Sequence, residues 1–349
     1  MAAMTHSLSA RTLADNGAIH DADAFNHLAT LMKAAGDPLR LEILRVLRNN
    51  AFAALELSDI FAMRQNAMSH HLKLLARAGL VSSRREGTHI FYRRSTQHSS
   101  HDGLREQILN AVDSCPLGDE IVERIHRIEE ERTATSREFF RANADKFRAQ
   151  QDLIAGYPQY GEAVVAALDK LPARGTVLEV GPGEGELLAD LCQRFERVIA
   201  LDNSAEMLDR ARGFANARQL AGIDFIHGDT AAAVSTGLAS DAITLNMVLH
   251  HTPSPASVIA DLAKVLKPGG VLLVTELCQH DQDWARSACG DLWLGFDAEE
   301  LSQWARAAGL TDGGCEFMPL KNGFRVQLRQ FIQAFPKTTV PRRESLQGV

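Results

Sequence analysis

Apolar positions in the first hundred residues recur at intervals of three and four, the period of helices that lie against a core. Leu28, Leu31 and Met32 open a helical region over 25–47. Gly36-Asp37-Pro38 interrupts it, with Asp37 placed as an N-cap and Pro38 as the first residue of the next helix. Leu41, Leu44, Val46 and Leu47 carry that helix on. Two more helices are predicted over 55–61 and 65–77. In the second, Met68, Leu72 and Leu75 stand at i, i+4, i+7 and predict a buried stripe, with Gly79 as its C-terminal stop. Leu80-Val81 and Ile90-Phe91-Tyr92 read as two strands around a turn at Glu86-Gly87. Helix, turn, helix and then hairpin is the order of a winged helix. Helical spacing returns at Leu104, Ile108 and Val112. A long polar helix with Ile121, Ile125 and Ile128 then runs towards Phe147.

From Thr176 the pattern becomes short apolar strands alternating with helices. Val177–Val180, Arg197–Leu201, Asp224–His227, Ala242–Asn246 and Gly270–Thr275 are strand-like, and 317–335 is expected to supply the last strands. This alternation predicts an α/β domain with a doubly wound parallel sheet and helices on both faces. The expected organisation is a disordered tail over 1–24, a winged-helix domain over 25–117, a helical linker and dimerisation segment over 118–150, and a Rossmann-like domain over 151–349.

Composition adds three constraints. With 349 residues, 45% of them apolar, each half is long enough to bury its own core. The N-terminal segment has no basic cluster followed by an apolar run, and no stretch approaches ~20 apolar residues. Neither a signal peptide nor a membrane span is expected. Five scattered cysteines, with no C-x-x-C pair, predict neither a disulfide framework nor a zinc cage, and suit a reducing cytoplasm. The net charge of −7 is unevenly spread: residues 27–100 hold 11 Lys/Arg against 5 Asp/Glu. A basic segment on an acidic chain predicts an acidic partner at that segment.

That partner is expected to be double-stranded DNA. With Met68, Leu72 and Leu75 turned inward, Gln65, Asn66, Ser69, His70 and Lys73 form the outer face of the helix. Gln and Asn can pair with adenine edges, Ser can reach a phosphate, and Lys supplies charge. Arg84, Arg85, His89, Arg93 and Arg94 make a basic wing for the backbone or the minor groove. The run Lys33-Ala-Ala-Gly-Asp-Pro-Leu-Arg-Leu-Glu-Ile-Leu44, with Asn66-Ala-Met-Ser-His-His-Leu-Lys-Leu-Leu-Ala-Arg-Ala-Gly-Leu-Val81, resembles the ArsR/SmtB family of bacterial repressors. The resemblance implies a homodimer on a palindromic operator. Metal-sensing members carry a Cys-Val-Cys segment where this chain has Leu55-Glu-Leu-Ser-Asp59, and His98 and His101 have no matching ligand set. No metal site is therefore expected.

The second domain opens on Val177-Leu-Glu-Val-Gly-Pro-Gly-Glu-Gly185, followed by Asp202 at the end of the next strand. Glycines there allow a sharp turn and close approach of backbone to a ligand. A carboxylate at Asp202 can accept both hydroxyls of a ribose. The dinucleotide pattern G-x-G-x-x-G fails at Glu186, and Glu184 and Glu186 would repel a pyrophosphate. The segment is similar to class I S-adenosylmethionine-dependent methyltransferases. That likeness implies that Glu179, Gly181, Gly183 and Gly185 hold the methionine part, Asp202 the ribose, and Asn203 and Met207 the adenine surroundings. Asp229 and Thr230, after Gly228, would meet the adenine amino group, and Asn246 would line the methionine end. Leu266-Lys-Pro-Gly-Gly270 before a strand is also typical of these enzymes.

His250 and His251 follow the fourth strand and are the candidate catalytic bases, since a base helps when the acceptor must lose a proton. His280, Trp284 and Asp291–Phe296 are expected to cover an acceptor site, and Cys289 and Cys315 are too few for an arsenite methyltransferase. Two functions follow. One is a transcription regulator whose second domain senses S-adenosylmethionine or S-adenosylhomocysteine, in the manner of ArsR-type regulators of the methionine cycle that such fusions resemble. The other is an active small-molecule methyltransferase carrying a regulatory DNA-binding domain.

Overall fold

The computed structural model describes residues 23–86 and 89–335. Residues 1–22 of the expected tail, Gly87 of the expected turn and 336–349 of the second domain lie outside the described residues. The chain forms two compact units. One takes the residues up to Thr135 with Pro253–Pro255 and Asp281–Arg286; the other takes Ser136–Thr252, Ala256–His280 and the residues from Ser287 onward.

The first unit contains α1 (23–35), α2 (Pro38–Val46), β1 (Phe52–Ala53), α3 (Ala54–Ile60), α4 (Gln65–Arg77), β2 (Val81–Glu86), β3 (His89–Arg94), α5 (Asp102–Asp113) and the start of α6 (Asp119–Asn143). Asp37 caps α2, its carboxylate accepting from the Arg40 amide at 3.0 Å, with Pro38 behind it. Gly79, at φ +68°, closes α4. Strands β2 and β3 pair antiparallel from Val81↔Arg94 to Glu86↔His89. β1, which has no signal in the sequence, completes the order β1-β3-β2. Met68, Leu72 and Leu75 are fully buried against Ile43, Leu44, Leu57 and Ile60. Val112 of α5 and Ile128 of α6 join the same core, so the polar helix docks one apolar edge onto it.

The second unit continues with α7 (Phe147–Ile154), α8 (Gly161–Asp169), β4 (Thr176–Val180), α9 (Leu188–Arg194), β5 (Arg197–Asp202), α10 (Ala205–Ala217), β6 (Ile223–His227), α11 (Thr230–Ser235) and β7 (Ser240–Asn246). Then come α12 (Pro255–Val265), β8 (Leu266–Leu277), α13 (Trp284–Cys289), α14 (Ala298–Ala307), β9 (Leu310–Pro319) and β10 (Arg325–Gln333). The sheet runs β6-β5-β4-β7-β8-β10-β9. β4 and the strands beside it carry near-continuous Val, Ile, Leu and Ala, as strands covered on both faces must.

The doubly wound parallel sheet expected from the sequence is present, and the last strands extend it antiparallel at one edge. β10 runs antiparallel to both β8 and β9. The reason is the turn over 320–324, closed by the Leu320 amide on the Phe324 carbonyl, which is too short for a parallel crossover. At the other side, the chain leaves β4 towards β5 and returns to β4's far side as β7. That reversal of strand order opens a crevice at the carboxyl ends of β4 and β7.

Leu72 is the centre of the stripe that holds α4 in place. Leu72→Ala is expected to lower the stability of the first unit by ~2–5 kcal/mol in denaturant titration; an unchanged midpoint would contradict the packing described.

Candidate functional site

β4 carries Glu179 inward and ends against Gly181, whose amide donates to the Leu201 carbonyl at 2.8 Å. Gly181 has φ +65°, and a Cβ there would meet Val248 Cγ2 at 2.5 Å. The turn therefore requires glycine on both conformational and steric grounds. Gly183 and Gly185 are also left-handed, at φ +58° and +87°. Glu179 is 3% exposed, and its Oε2 has no hydrogen-bond partner among the described residues. At the end of β7, the Asn246 Oδ1 accepts from the Thr275 hydroxyl at 2.7 Å, which leaves its buried Nδ2 likewise without a partner.

Both groups line one cleft of about 350 Å³ with Gln151, Tyr157, Tyr160, Gly181, Gly183 and Leu187. Burial pushes the Glu179 carboxyl up to about 8. Among the described residues, no Lys or Arg lines the cleft. The rim acids are answered from outside: Glu184 by Arg210 at 3.4 Å and Glu186 by Arg148 at 3.2 Å. Unsatisfied buried polar groups are costly, so this pair calls for a ligand with a cationic donor and an acceptor. An amino-acid head group offers both, and the methionine part of S-adenosylmethionine is one. A phosphate offers neither a cation nor a donor to Glu179. The residues present thus fit the cofactor expected from the sequence.

The remaining residues expected at the cofactor lie along the same sheet edge, outside that cleft's lining. Asp202 ends β5; burial pushes its carboxyl up to about 6, and Oδ1 accepts from the Ser204 amide at 2.8 Å. Asn203 is exposed, its carbonyl 3.2 Å from His227 Nε2. Met207 is buried under the start of α10. Gly228 donates to the Asp202 carbonyl at 2.9 Å, which ties the β6 edge to β5. Asp229 caps α11 through the Ala232 amide, and Thr230 is turned to Asp261 at 3.2 Å. Gly185 packs under Ala211 instead of facing the cleft.

His250 and His251 stand on a 3-10 turn after β7. The Nδ1 of His250 is 2.5 Å from Glu276 Oε1, and Glu276 also accepts from the His250 and Leu277 amides. Burial opposes charge on His250, but the Glu276 and Asp291 carboxylates outweigh it and hold the ring at about 9. Burial and the charge of His250 drive His251 well below the usual imidazole range, with Nδ1 facing the Gly290 carbonyl at 3.2 Å. The two expected bases are therefore unlike: at neutral pH His250 keeps its proton and His251 does not. Asp291, Cys289 and both histidines line a second, small cavity, to which Gln151 also belongs.

On α4, Gln65, Asn66, His70 and Lys73 are exposed and Ser69 is half-buried. The basic wing is divided. Arg94 is bidentate on Asp113, at 3.0 and 2.6 Å, and donates to the Leu44 carbonyl at 2.9 Å. Arg84 donates to Glu86 at 2.7 Å, and Arg93 lies 3.5 Å from the same oxygen. The Glu86 side chain is fully buried, and a buried carboxylate needs such counter-charge. Arg85 and His89 remain exposed.

Sequence reasoning missed Tyr157, Tyr160, Gln151, Glu276 and the role of Asp291 beside the histidines. Two of the chain's three tyrosines within Tyr157-Pro-Gln-Tyr160 was an available signal. The others had none, because only the fold brings them to the site.

A family profile of methyltransferase domains matches residues 178–274, and one of helix-turn-helix domains matches 35–84. Among curated proteins, the chain is 38% identical over 105 residues to a tRNA 5-carboxymethoxyuridine methyltransferase of Escherichia coli, covering 29% of this chain and 40% of that one. It is 28% identical over 224 residues to a ubiquinone biosynthesis O-methyltransferase of Xanthomonas axonopodis, covering 56% of this chain and 92% of that one. The chain thus spans less than half the length of the first of these. Among solved structures, the magnesium protoporphyrin IX methyltransferase of Synechocystis, with bound S-adenosylhomocysteine, is similar with a TM-score of 0.48 and 17% identity, covering 58% of this chain and all of that one. The chain joins a helix-turn-helix domain to a methyltransferase domain.

Proposed function

We propose that this chain is an ArsR-type, DNA-binding transcription regulator that takes S-adenosylmethionine or S-adenosylhomocysteine as its effector. The carrying observation is one chain that has both an exposed polar face on α4 and a cleft whose buried Glu179 and Asn246 lack partners. Gln65, Asn66, Ser69, His70 and Lys73 would read the major groove, with Arg85 and His89 on the backbone. Arg84 is better described as a support of the wing, given its bond to Glu86. The ArsR resemblance of 33–81 supports a cytoplasmic homodimer on a palindromic operator, and the effector suits control of methionine-cycle genes.

Glu179 and Asn246 would hold the methionine part against the Gly181–Gly185 turn, Asp202 would hold the ribose, and Asn203, Met207, Asp229 and Thr230 would stand around the adenine. S-adenosylmethionine, when bound, would supply a methyl group on a sulfonium, which S-adenosylhomocysteine lacks. A second reading, methyl transfer to a small acceptor, is favoured by the cavity at His250 and His251, which shares Gln151 with the cofactor cleft.

The direct test is binding to the protein's own promoter region at fixed salt, titrated with each ligand in turn. One ligand is expected to shift the affinity by ~5-fold or more, a coupling of ~1 kcal/mol or more. If DNA binds and neither ligand matters, the effector reading fails and methyl transfer takes its place.

A pH dependence follows from Glu179. Its folded carboxyl sits at about 8, above the ordinary carboxylate range, so it must lose a proton to meet a cation. Affinity for S-adenosylmethionine should therefore rise from about pH 6 to about 7.5, by as much as ~10-fold per pH unit. Glu179→Gln should weaken binding by ~10-fold or more and flatten that slope. Calorimetry at two pH values reads both; a slope that survives in the variant would refute the assignment.

A further inference from the structure

Beside the cofactor cleft lies a cluster that neither the DNA-binding nor the cofactor-binding reading uses. His250 Nε2 and His251 Nδ1 each stand 3.9 Å from Asp291 Oδ1. One ligand-type atom from each of the three residues lies within 4.8 Å of the other two. All three side chains are buried or nearly so.

Three features of this cluster point the same way. First, 3.9 Å is too long for a direct N–H···O bond. Ligand atoms ~2.0–2.1 Å from a tetrahedral zinc stand ~3.3–3.4 Å apart, so both gaps lie about half an ångström outside a closed ligand set and within reach of one by small side-chain rotations. Second, His250 Nδ1 is fixed on Glu276 Oε1 at 2.5 Å, and Glu276 is itself held by the His250 and Leu277 amides at 3.3 and 2.7 Å. A carboxylate on the outer nitrogen of a ligating imidazole is the usual support of protein metal sites. Third, among the described residues no Lys or Arg lines the cavity around the cluster, which has room for a water molecule as a further ligand.

We propose that His250, His251 and Asp291 bind a divalent transition metal of the zinc class, with Glu276 as a positioning residue. Binding releases the Nε2 proton of His250 to solvent and moves the His251 proton from Nδ1 to Nε2, freeing Nδ1 from the Gly290 carbonyl, and small side-chain rotations close the set around the ion. The mixture of imidazole and carboxylate suits zinc or cobalt over magnesium or calcium. Water or a small molecule in the cavity would complete the coordination. Sequence spacing hides the site, because Asp291 follows the histidines by about forty residues and arrives through the Gly290 turn. The inference stands whether the domain senses its ligand or transfers a methyl group.

The test uses the full chain, stripped with a chelator and titrated with Co²⁺ and then Zn²⁺. About one Co²⁺ per chain should give the strong visible absorption of a four- or five-coordinate site, and Zn²⁺ should displace it. Asp291→Asn and His251→Gln should abolish that absorption, and Glu276→Gln should weaken Co²⁺ binding by ~10–100-fold. His98→Ala with His101→Ala should leave it unchanged, which excludes capture by those exposed histidines. Circular dichroism checks that each variant is folded; if one is not, the other ligand variant decides. Absence of a Co²⁺ spectrum in the parent chain, or its persistence in a folded ligand variant, overturns the proposal.

Discussion

A buried carboxylate without a counter-charge governs the second unit. Glu179 sits on β4, inside the sheet and almost wholly buried at the floor of the cleft, with Oε2 unsatisfied among the described residues. Holding it there works against the stability of the ligand-free fold, and burial alone raises its proton affinity. The surroundings keep it in that state. Gly181 turns the chain away at once, Val248 blocks any side chain at that turn, and the nearby arginines are engaged on Glu184 and Glu186. The strand reversal between β4 and β7 then sets Asn246 on the same cleft. In the proposed function these features would receive a charged head group, so the fold's least comfortable residue is also its most informative.

The first unit handles its buried carboxylate in the opposite way. Glu86 draws Arg84 and Arg93 inward, while Asp113 takes Arg94. The wing is thereby tied to its own domain, and fewer cations face outward than the sequence suggests. In the proposed function, the exposed face of α4, backed by Met68, Leu72 and Leu75, would then be the principal surface for reading DNA. Electrostatic attraction from a smaller basic set favours a site that depends on base-edge contacts, with fewer phosphate contacts to make it salt-sensitive.

Periodicity made much of this legible. The stripe in α4, the Asp37 cap, the stop at Gly79 and the strand-turn-helix glycines are local signals, each carried by a few adjacent residues. The antiparallel edge was missed although Asn322-Gly323, between β9 and β10, is the residue pair that marks a tight hairpin turn. The split of the wing was hidden because arginines look alike in sequence, whether they face solvent or a buried acid. Glu276 and Asp291 were hidden for a different reason: their partners are distant in the chain, and only β8 and the Gly290 turn bring them to the histidines.

The central claim is that cofactor binding and DNA binding are linked within one chain. Linkage is reciprocal, so DNA must change the affinity for the effector by the same factor as the effector changes the affinity for DNA. Titrating S-adenosylhomocysteine calorimetrically into the protein, alone and then saturated with its promoter DNA, measures this directly, with S-adenosylmethionine run in parallel. The account predicts that DNA shifts the dissociation constant of one of the two by ~5-fold or more. Identical constants for both ligands, with and without DNA, would contradict it.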